Sequence, residues 1–175
     1  LSRDYMNFLQ ALHYLTASMN EAVVFNASLA LFYLAPREDL SKIIFPLVRC
    51  LTINKGNVQQ LMLQQAMPVI ESLADEFKPY YKEFFVFQQL DNDVVKNYKL
   101  TILGKLCDED NVYAILREFE QYVRWHSYPK FVQSAVKQIT KIALKIDAVT
   151  DSCLKGLLRM LDSKSQNLAS EAVIA

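Results

Sequence analysis

The stretch Asn20–Pro36, NEAVVFNASLALFYLAP, decides the fold because it specifies one helix together with its start and its end. Asn20 suits the N-cap and Glu21 the first turn, while Pro36 fits the connector beyond the C-terminus. Apolar residues cover two opposite faces, with Val23, Ala27, Leu31 and Leu34 on one and Val24, Phe25, Leu29 and Phe32 on the other. A helix that is apolar nearly all round is buried on several sides. We therefore expect an inner helix of a larger assembly of helices.

The same pattern recurs at a nearly constant spacing. Triplets at i, i+4 and i+8 begin at Val23, Val58, Val94 and Phe131, and an incomplete one begins at Leu168, so that the intervals are 35, 36, 37 and 37 residues. Such a period is typical of a solenoid of stacked helices and leaves room for one further helix per repeat. The sequence predicts an all-α fold, a right-handed α-solenoid of about five HEAT- or armadillo-like hairpins. Residues 1–175 are predicted to form a single solenoid segment.

Composition narrows the class of protein. The chain has 175 residues, 52% of them hydrophobic, with only three glycines, which disfavours an all-β fold. Nineteen basic residues balance nineteen acidic ones, so no global charge draws it to nucleic acid or an anionic membrane. No apolar run reaches membrane-spanning length. Cys50, Cys107 and Cys153 each lie in an apolar helical pattern and are expected to be reduced core residues of a cytosolic protein.

The two ends of the sequence point to a longer protein. The chain opens at Leu1 rather than Met and stops inside a predicted helix at Ala175. We therefore expect a piece of a solenoid whose end surfaces are apolar where further repeats would pack.

Several local features guide the remaining helix predictions. Asp39 is expected to cap a helix from Leu40 to about Thr52, and Thr150-Asp151 to cap a helix that runs to Leu161. Pro46 and Pro68 lie inside predicted helices, where kinks are expected.

An aromatic segment, residues 76–87, permits two interpretations. Its six aromatic residues are Phe77, Tyr80, Tyr81, Phe84, Phe85 and Phe87. They form either an exposed hot spot for a partner or the filling beneath a short outer helix. The three- and four-residue spacing favours the second interpretation, because it directs most of these rings inward.

No catalytic constellation is present in the sequence pattern. Neither His13 nor His126 has a nucleophile nearby in the sequence, and there is no glycine-rich phosphate loop. The acidic triplet Asp108-Glu109-Asp110 is better explained as a loop and helix N-terminus than as a metal site, because no further ligand stands at a suitable spacing. We expect no enzyme activity, no metal, no cofactor and no small-molecule substrate.

One charged feature stands out in this net-neutral chain. Lys137, Lys141 and Lys145 follow one another at i, i+4 and i+8, and Lys130 lies one heptad earlier. Like charges at this spacing weaken a helix slightly. The lysines form either a plain solvated face or a partner-binding surface for an acidic protein or for anionic lipid headgroups.

Several stretches resemble the β-adaptins, the large β subunits of heterotetrameric vesicle-adaptor complexes. The resemblance begins with NEAVVFNASLALFYLAP and continues through IIFPLVRCL, NVQQLMLQQAMPVI and KPYYKEFFV. Its most specific part is DVVKNYKLTILGKLCDEDNVYAILREFEQYV, followed by VTDSCLKGLLRML, and it is most similar to the β subunit of adaptor protein complex 3. The sequence departs from the family at Asn57, where an acidic residue is usual, and at Ile139–Ala143, where GRCA is common.

This resemblance implies a function that the residues alone do not show. The segment would belong to the β trunk, a solenoid scaffold that pairs with the second large adaptin and cradles the medium and small chains. The complex would sort cargo in vesicle transport, associating peripherally with Golgi or endosomal membranes from the cytoplasm, without contact to nucleic acid. The alternative is another helical-repeat scaffold, such as a coatomer subunit, a nuclear import receptor or a phosphatase scaffold.

Overall fold

The computed structural model describes residues 2–124 and 129–161. Within these ranges the regular structure is helical throughout and contains no strand. The α-helices are α1 (Arg3–Leu15), α2 (Glu21–Leu34), α3 (Ser41–Ile53), α4 (Gly56–Ser72), α5 (Ala74–Phe77), α6 (Asp93–Leu106), α7 (Val112–Arg124), α8 (Pro129–Lys145) and α9 (Asp147–Leu161). Two 3-10 helices, Arg37–Asp39 and Lys78–Phe84, join them.

Helix α2 has the bounds that its sequence predicts. The side-chain oxygen of Asn20 accepts hydrogen bonds from the backbone N–H groups of Ala22 and Val23, at 3.0 and 3.4 Å. The chain becomes extended at Ala35, immediately before Pro36. The buried residues of α2 come from both of its apolar faces and include Val24, Phe25, Ala27, Ser28 and Leu31. The prediction of an inner helix is therefore confirmed.

The chain divides into two compact units. The first lies within Leu1–Glu83 and Gln88–Val95, and the second within Phe84–Phe87 and Lys96–Ala175. In the first unit α2 packs between α1 and α3, and α4 packs against α2 and α3. Hydrogen bonds between successive helices reinforce this packing: the Tyr5 hydroxyl donates to the Leu34 carbonyl, and the Gln59 amide donates to the Leu51 carbonyl at 2.8 Å.

The second unit packs α8 against α7 and α9. The short segment Phe84–Phe87 is bound to this unit by two polar side chains. The Tyr122 hydroxyl accepts a hydrogen bond from the Val86 N–H at 2.8 Å. Lys99 is only 2% exposed, and its ammonium group donates to the Phe85 carbonyl at 3.2 Å. Lys99 thus has a structural role in the core of the second unit.

Two predicted helix starts are wrong. Asp39 does not cap α3, whose N-cap residue is Leu40 without a side-chain hydrogen bond. Asp39 instead ends a 3-10 turn and pairs with Lys42 at 2.6 Å, and this hydrogen bond lowers the pKa of its carboxyl group. Helix α9 begins one turn earlier than predicted, at Asp147, and the Thr150 hydroxyl donates to the Ala143 carbonyl at 2.8 Å rather than capping the helix.

The prolines and the aromatic segment also have defined places. Both α3 and α4 continue through their internal prolines, Pro46 and Pro68. The aromatic segment forms α5 and a 3-10 helix, not one short α-helix. Phe77 and Phe84 are buried, whereas Phe87 is half exposed. Most rings of this segment are at least partly covered, as the spacing predicts. The fifth anchor, Leu168, and His126 lie outside the described residues.

Candidate interaction surface

The four lysines predicted to bind a partner all lie on α8 and are all exposed. Because successive residues of an α-helix are about 100° apart, Lys130, Lys137, Lys141 and Lys145 fall within an arc of about 80°. The opposite side of α8 is buried in the second unit through Phe131, Val132, Ala135, Val136, Ile139 and Ile142. Packing of that apolar side fixes the lysines toward solvent.

Lys145 differs from the other three lysines. Its ammonium group donates a hydrogen bond of 2.7 Å to the Cys107 carbonyl, which lies just beyond the C-terminus of α6. A cation at a helix C-terminus is stabilised by the helix dipole and by the unpaired carbonyl groups there. Lys145 therefore links α8 to the end of α6. Over residues 2–124 and 129–161, Lys130, Lys137 and Lys141 have no acidic partner.

Helices α6 and α8 are parallel neighbours in the second unit. Lys96 lies over the ring of Phe131 at 5.9 Å, and a side chain at Gly104 would meet Gln138. The hydrogen bond from Lys145 to Cys107 completes the series. The partners on the two helices advance together along the sequence, with offsets of 35, 34 and 38 residues. These offsets lie within one residue of the repeat period of 35 to 37 residues found in the sequence.

The acidic triplet forms a closed loop between α6 and α7. The Asp108 carboxylate accepts hydrogen bonds from the backbone N–H groups of Asp110 and Asn111, both at 3.1 Å. The Asn111 side chain accepts from the Asp108 N–H at 3.0 Å and donates to the Leu106 carbonyl at 2.9 Å. These bonds support the interpretation of the triplet as a loop. No group of three or more potential metal ligands occurs in the part of the chain that the structure describes.

The three thiols are buried, as their sequence context predicts. Burial raises the pKa of Cys107 to about 11 and also raises the pKa values of Cys50 and Cys153. A raised pKa suppresses the thiolate, which is the reactive form. These positions are therefore packed core residues. His13 is half-buried in α1.

A small cavity of 140 Å³ opens among α7, α8 and α9. Cys153 lines it together with Arg117 and Glu120. The sequence did not indicate this cavity, because its walls come from three helices. Among the described residues, no helix is both long and apolar enough to cross a membrane.

This chain is similar in sequence to one known protein family and to several of its members. The family described as the adaptin N terminal region matches residues 1–175. The AP-3 complex subunit beta-1 of Mus musculus is 33% identical over 160 residues, covering 91% of this chain and 14% of the relative. The AP-3 complex subunit beta of Dictyostelium discoideum is 32% identical over 174 residues, covering 99% of this chain and 15% of the relative.

The fold of this chain is also similar to that of a chain in a known adaptor structure. A chain in a homology model of the full-length AP-3 complex, in an intermediate open conformation, matches with a TM-score of 0.73 and 30% identity. The match covers 95% of this chain and 28% of that chain. The predicted helical-solenoid class and the resemblance to β-adaptins are confirmed, while the number of repeats stays a prediction. The chain spans about one seventh of the length of the curated relatives described above.

Proposed function

This chain belongs to the adaptin family, and we propose on that premise that it is part of the scaffold of a vesicle adaptor complex. The observation that carries the proposal is the family match over residues 1–175, supported by similarity to AP-3 β subunits in sequence and structure. The proposed partners are a second large adaptin and the medium and small chains. The complex would sort cargo for vesicle transport.

The proposed mechanism is protein–protein contact without catalysis. A helix that packs through one side leaves its other side available for a partner, as α8 does. The scaffold would hold its partner chains in fixed positions and associate with Golgi or endosomal membranes peripherally, through the assembled complex. The cytoplasmic side of these membranes is the proposed location.

We further propose that residues 1–175 form one segment of a longer trunk. The support is the anchor spacing, which changes only from 35 to 37 residues along the whole sequence. Exposed apolar side chains in α1, α2 and α8, such as Tyr14, Tyr33 and Leu144, are consistent with surfaces that further repeats or partners would cover.

The lysines of α8 are proposed to contribute a partner contact. Lys130, Lys137 and Lys141 would make the contact, because they are exposed and lack acidic partners over the described ranges. Lys145 would support it indirectly by holding α8 against the end of α6.

The test is affinity purification of the full-length protein from its own cells, followed by mass spectrometry. We expect a second large adaptin with medium and small chains in stoichiometric amounts. Recovery of coatomer, import-receptor cargo or phosphatase chains instead would establish the alternative scaffold function.

A further inference from the structure

Charge is distributed unevenly among the helices of the second unit. Residues 96–106 of α6 and all of α8 contain seven lysines and no carboxylate. By contrast, α7 and α9 together carry four acidic and four basic residues. The net-neutral chain therefore concentrates positive charge on one pair of adjacent helices.

The exposed residues of these two helices lie on the same side. Viewed down the parallel axes, Gly104 of α6 faces Gln138 of α8. Lys105 is about 100° from Gly104 in one sense of rotation, and Lys137 and Lys141 are about 100° and 60° from Gln138 in the opposite sense. Opposite rotations on two facing helices lead to the same side of the pair. Lys105, Lys130, Lys137 and Lys141, all exposed, thus form one basic surface.

An exposed leucine extends this basic surface. Leu144 is 81% exposed and follows Lys130 and Lys137 at successive heptad positions. It therefore continues their row along α8. From Lys130 to Lys141 the row measures about 16 Å, at 1.5 Å per residue. A ligand for this surface would combine several negative charges over that length with an apolar group at the end.

The position of the acidic triplet favours an acidic protein segment over an anionic lipid bilayer as the ligand of this surface. The hydrogen bond from Lys145 to Cys107 places the loop that starts at Asp108 beside the C-terminal end of the lysine row. Glu109 and Asp110 of this loop are exposed. An anionic bilayer is planar and continuous, so one placed on the lysine row would extend toward this loop, whose negative charge opposes its own. A protein segment with carboxylates opposite Lys130, Lys137 and Lys141 and an apolar residue on Leu144 would bring no negative charge to this end of the row.

We propose that the basic surface formed by Lys105, Lys130, Lys137 and Lys141 binds an acidic protein segment that lies along α8 and packs an apolar side chain on Leu144. The proposal rests on the proposed scaffold function and specifies the chemistry of the partner at this surface. The unpaired lysines of α8 repel one another in the free protein, and carboxylates of the segment would relieve that repulsion.

The test uses the full-length protein in its purified complex and compares two triple variants. The first, Lys130→Glu with Lys137→Glu and Lys141→Glu, reverses the basic surface. The matched control, Lys42→Glu with Lys82→Glu and Lys155→Glu, makes the same net charge change at exposed lysines of α3, the Lys78–Phe84 turn and α9. The probes are a helical peptide with glutamates and one leucine, its glutamine counterpart, and vesicles of phosphatidylcholine with phosphatidylserine.

We expect the surface variant to bind the glutamate peptide at least about tenfold more weakly than the control variant does, because three ion pairs are lost and replaced by repulsion. The glutamine peptide should bind neither protein. If a subunit of the complex already occupies the surface, carbodiimide cross-linking should join Lys130, Lys137 or Lys141 to carboxylates of that subunit. The absence of both peptide binding and such cross-links in the wild-type complex overturns the proposal.

Two other results would also reject it. Equal peptide affinities of the two triple variants would show that the basic surface has no specific role. Loss of vesicle binding with unchanged peptide binding would assign the surface to lipid. Both results leave the scaffold function intact if the adaptor chains still co-purify. Failure of the wild-type protein to recover adaptor chains would reject the scaffold function instead.

Discussion

The four α8 lysines, though similar in sequence, have different surroundings at the level of single residues. Lys145 donates to a carbonyl at the end of a neighbouring helix, whereas Lys137 extends into solvent. We predict that Lys145→Met lowers the free energy of unfolding by about 1 kcal/mol, since it removes a charge-assisted hydrogen bond at a helix C-terminus. Lys137→Met keeps the same stem and should change this free energy by less than about 0.5 kcal/mol.

Urea denaturation followed by far-ultraviolet circular dichroism measures both values. Methionine is the appropriate substitute because it retains the apolar stem and the helix propensity of lysine. Equal free energies of unfolding for the two variants would contradict the structural role assigned to Lys145.

Burial of Cys107 predicts a dependence of stability on alkaline pH. Its pKa is about 11 in the folded protein, against an ordinary value of 9.0, because burial disfavours the thiolate. The unfolded chain therefore releases this proton at a lower pH than the folded chain. The stabilising contribution is complete below about pH 9 and is lost as the pH rises toward 11. We predict that the free energy of unfolding falls between pH 8.5 and 10.5.

The variant Cys107→Ala isolates this effect from other groups that titrate in the same range. It should be less stable at neutral pH because it leaves a small cavity, yet its stability should fall less steeply over the alkaline range. Parallel pH profiles for the wild type and the variant would show that the thiol does not contribute.

At the level of secondary-structure elements, Pro68 interrupts the hydrogen bonding of α4 without ending the helix. Proline has no N–H group and its ring crowds the carbonyl four residues earlier. Pro68 is exposed, so its ring contributes little packing. We predict that Pro68→Ala raises the free energy of unfolding by about 1 kcal/mol or more.

Pro46 provides a comparison, because it lies inside α3 and is partly buried. Pro46→Ala should stabilise the protein less, since removal of a packed ring offsets the gain in helix propensity. Thermal denaturation of both variants checks the order. A loss of stability in Pro68→Ala would mean that the ring or the bend at this position is required for packing.

The sequence predictions are correct where the deciding interactions are local and fail where those interactions join one helix to another. Helix α2 was predicted with its correct bounds, because Asn20 caps the helix through residues two and three positions away. The start of α9 was missed, because the Thr150 hydroxyl bonds to a carbonyl of the preceding helix. Likewise, the spacing of the lysines identified the exposed row, whereas the contact of Lys145 with Cys107, 38 residues away, required the structure.

Lys105 was not among the predicted surface residues for the same reason. In sequence it is one lysine near the end of α6, and its relation to α8 depends on how the two helices pack at Gly104. The net charge of each helix was a usable signal, because lysines without carboxylates mark both α6 from residue 96 and α8.

At the scale of the whole molecule, the repeat period argues that stability is shared along the chain. In a solenoid each repeat is stabilised mainly by its neighbours, so a local loss of stability passes to the next repeat. The anchors Val94 and Phe131 are 37 residues apart and belong to the first and the second compact unit, so the period continues from one unit into the other. If residues 1–175 form one segment, the two units should unfold together.

We predict that Leu47→Ala, at a fully buried position of α3, accelerates hydrogen exchange in α7 and α8 as well as in α3 and α4. The substitution should cost about 3 kcal/mol, which corresponds to roughly a hundredfold faster exchange for amides that open only by global unfolding. Ile102→Ala, at a fully buried position of α6, is the reciprocal variant and should accelerate exchange in α3.

Mass spectrometry of peptic fragments measures both effects. Urea-induced unfolding of either variant would look cooperative even if only one unit unfolded. Only hydrogen exchange resolved along the sequence therefore distinguishes joint unfolding of the two units from independent unfolding. Acceleration confined to the unit that carries each substitution would show two independently unfolding units and would reject the proposal of a single segment.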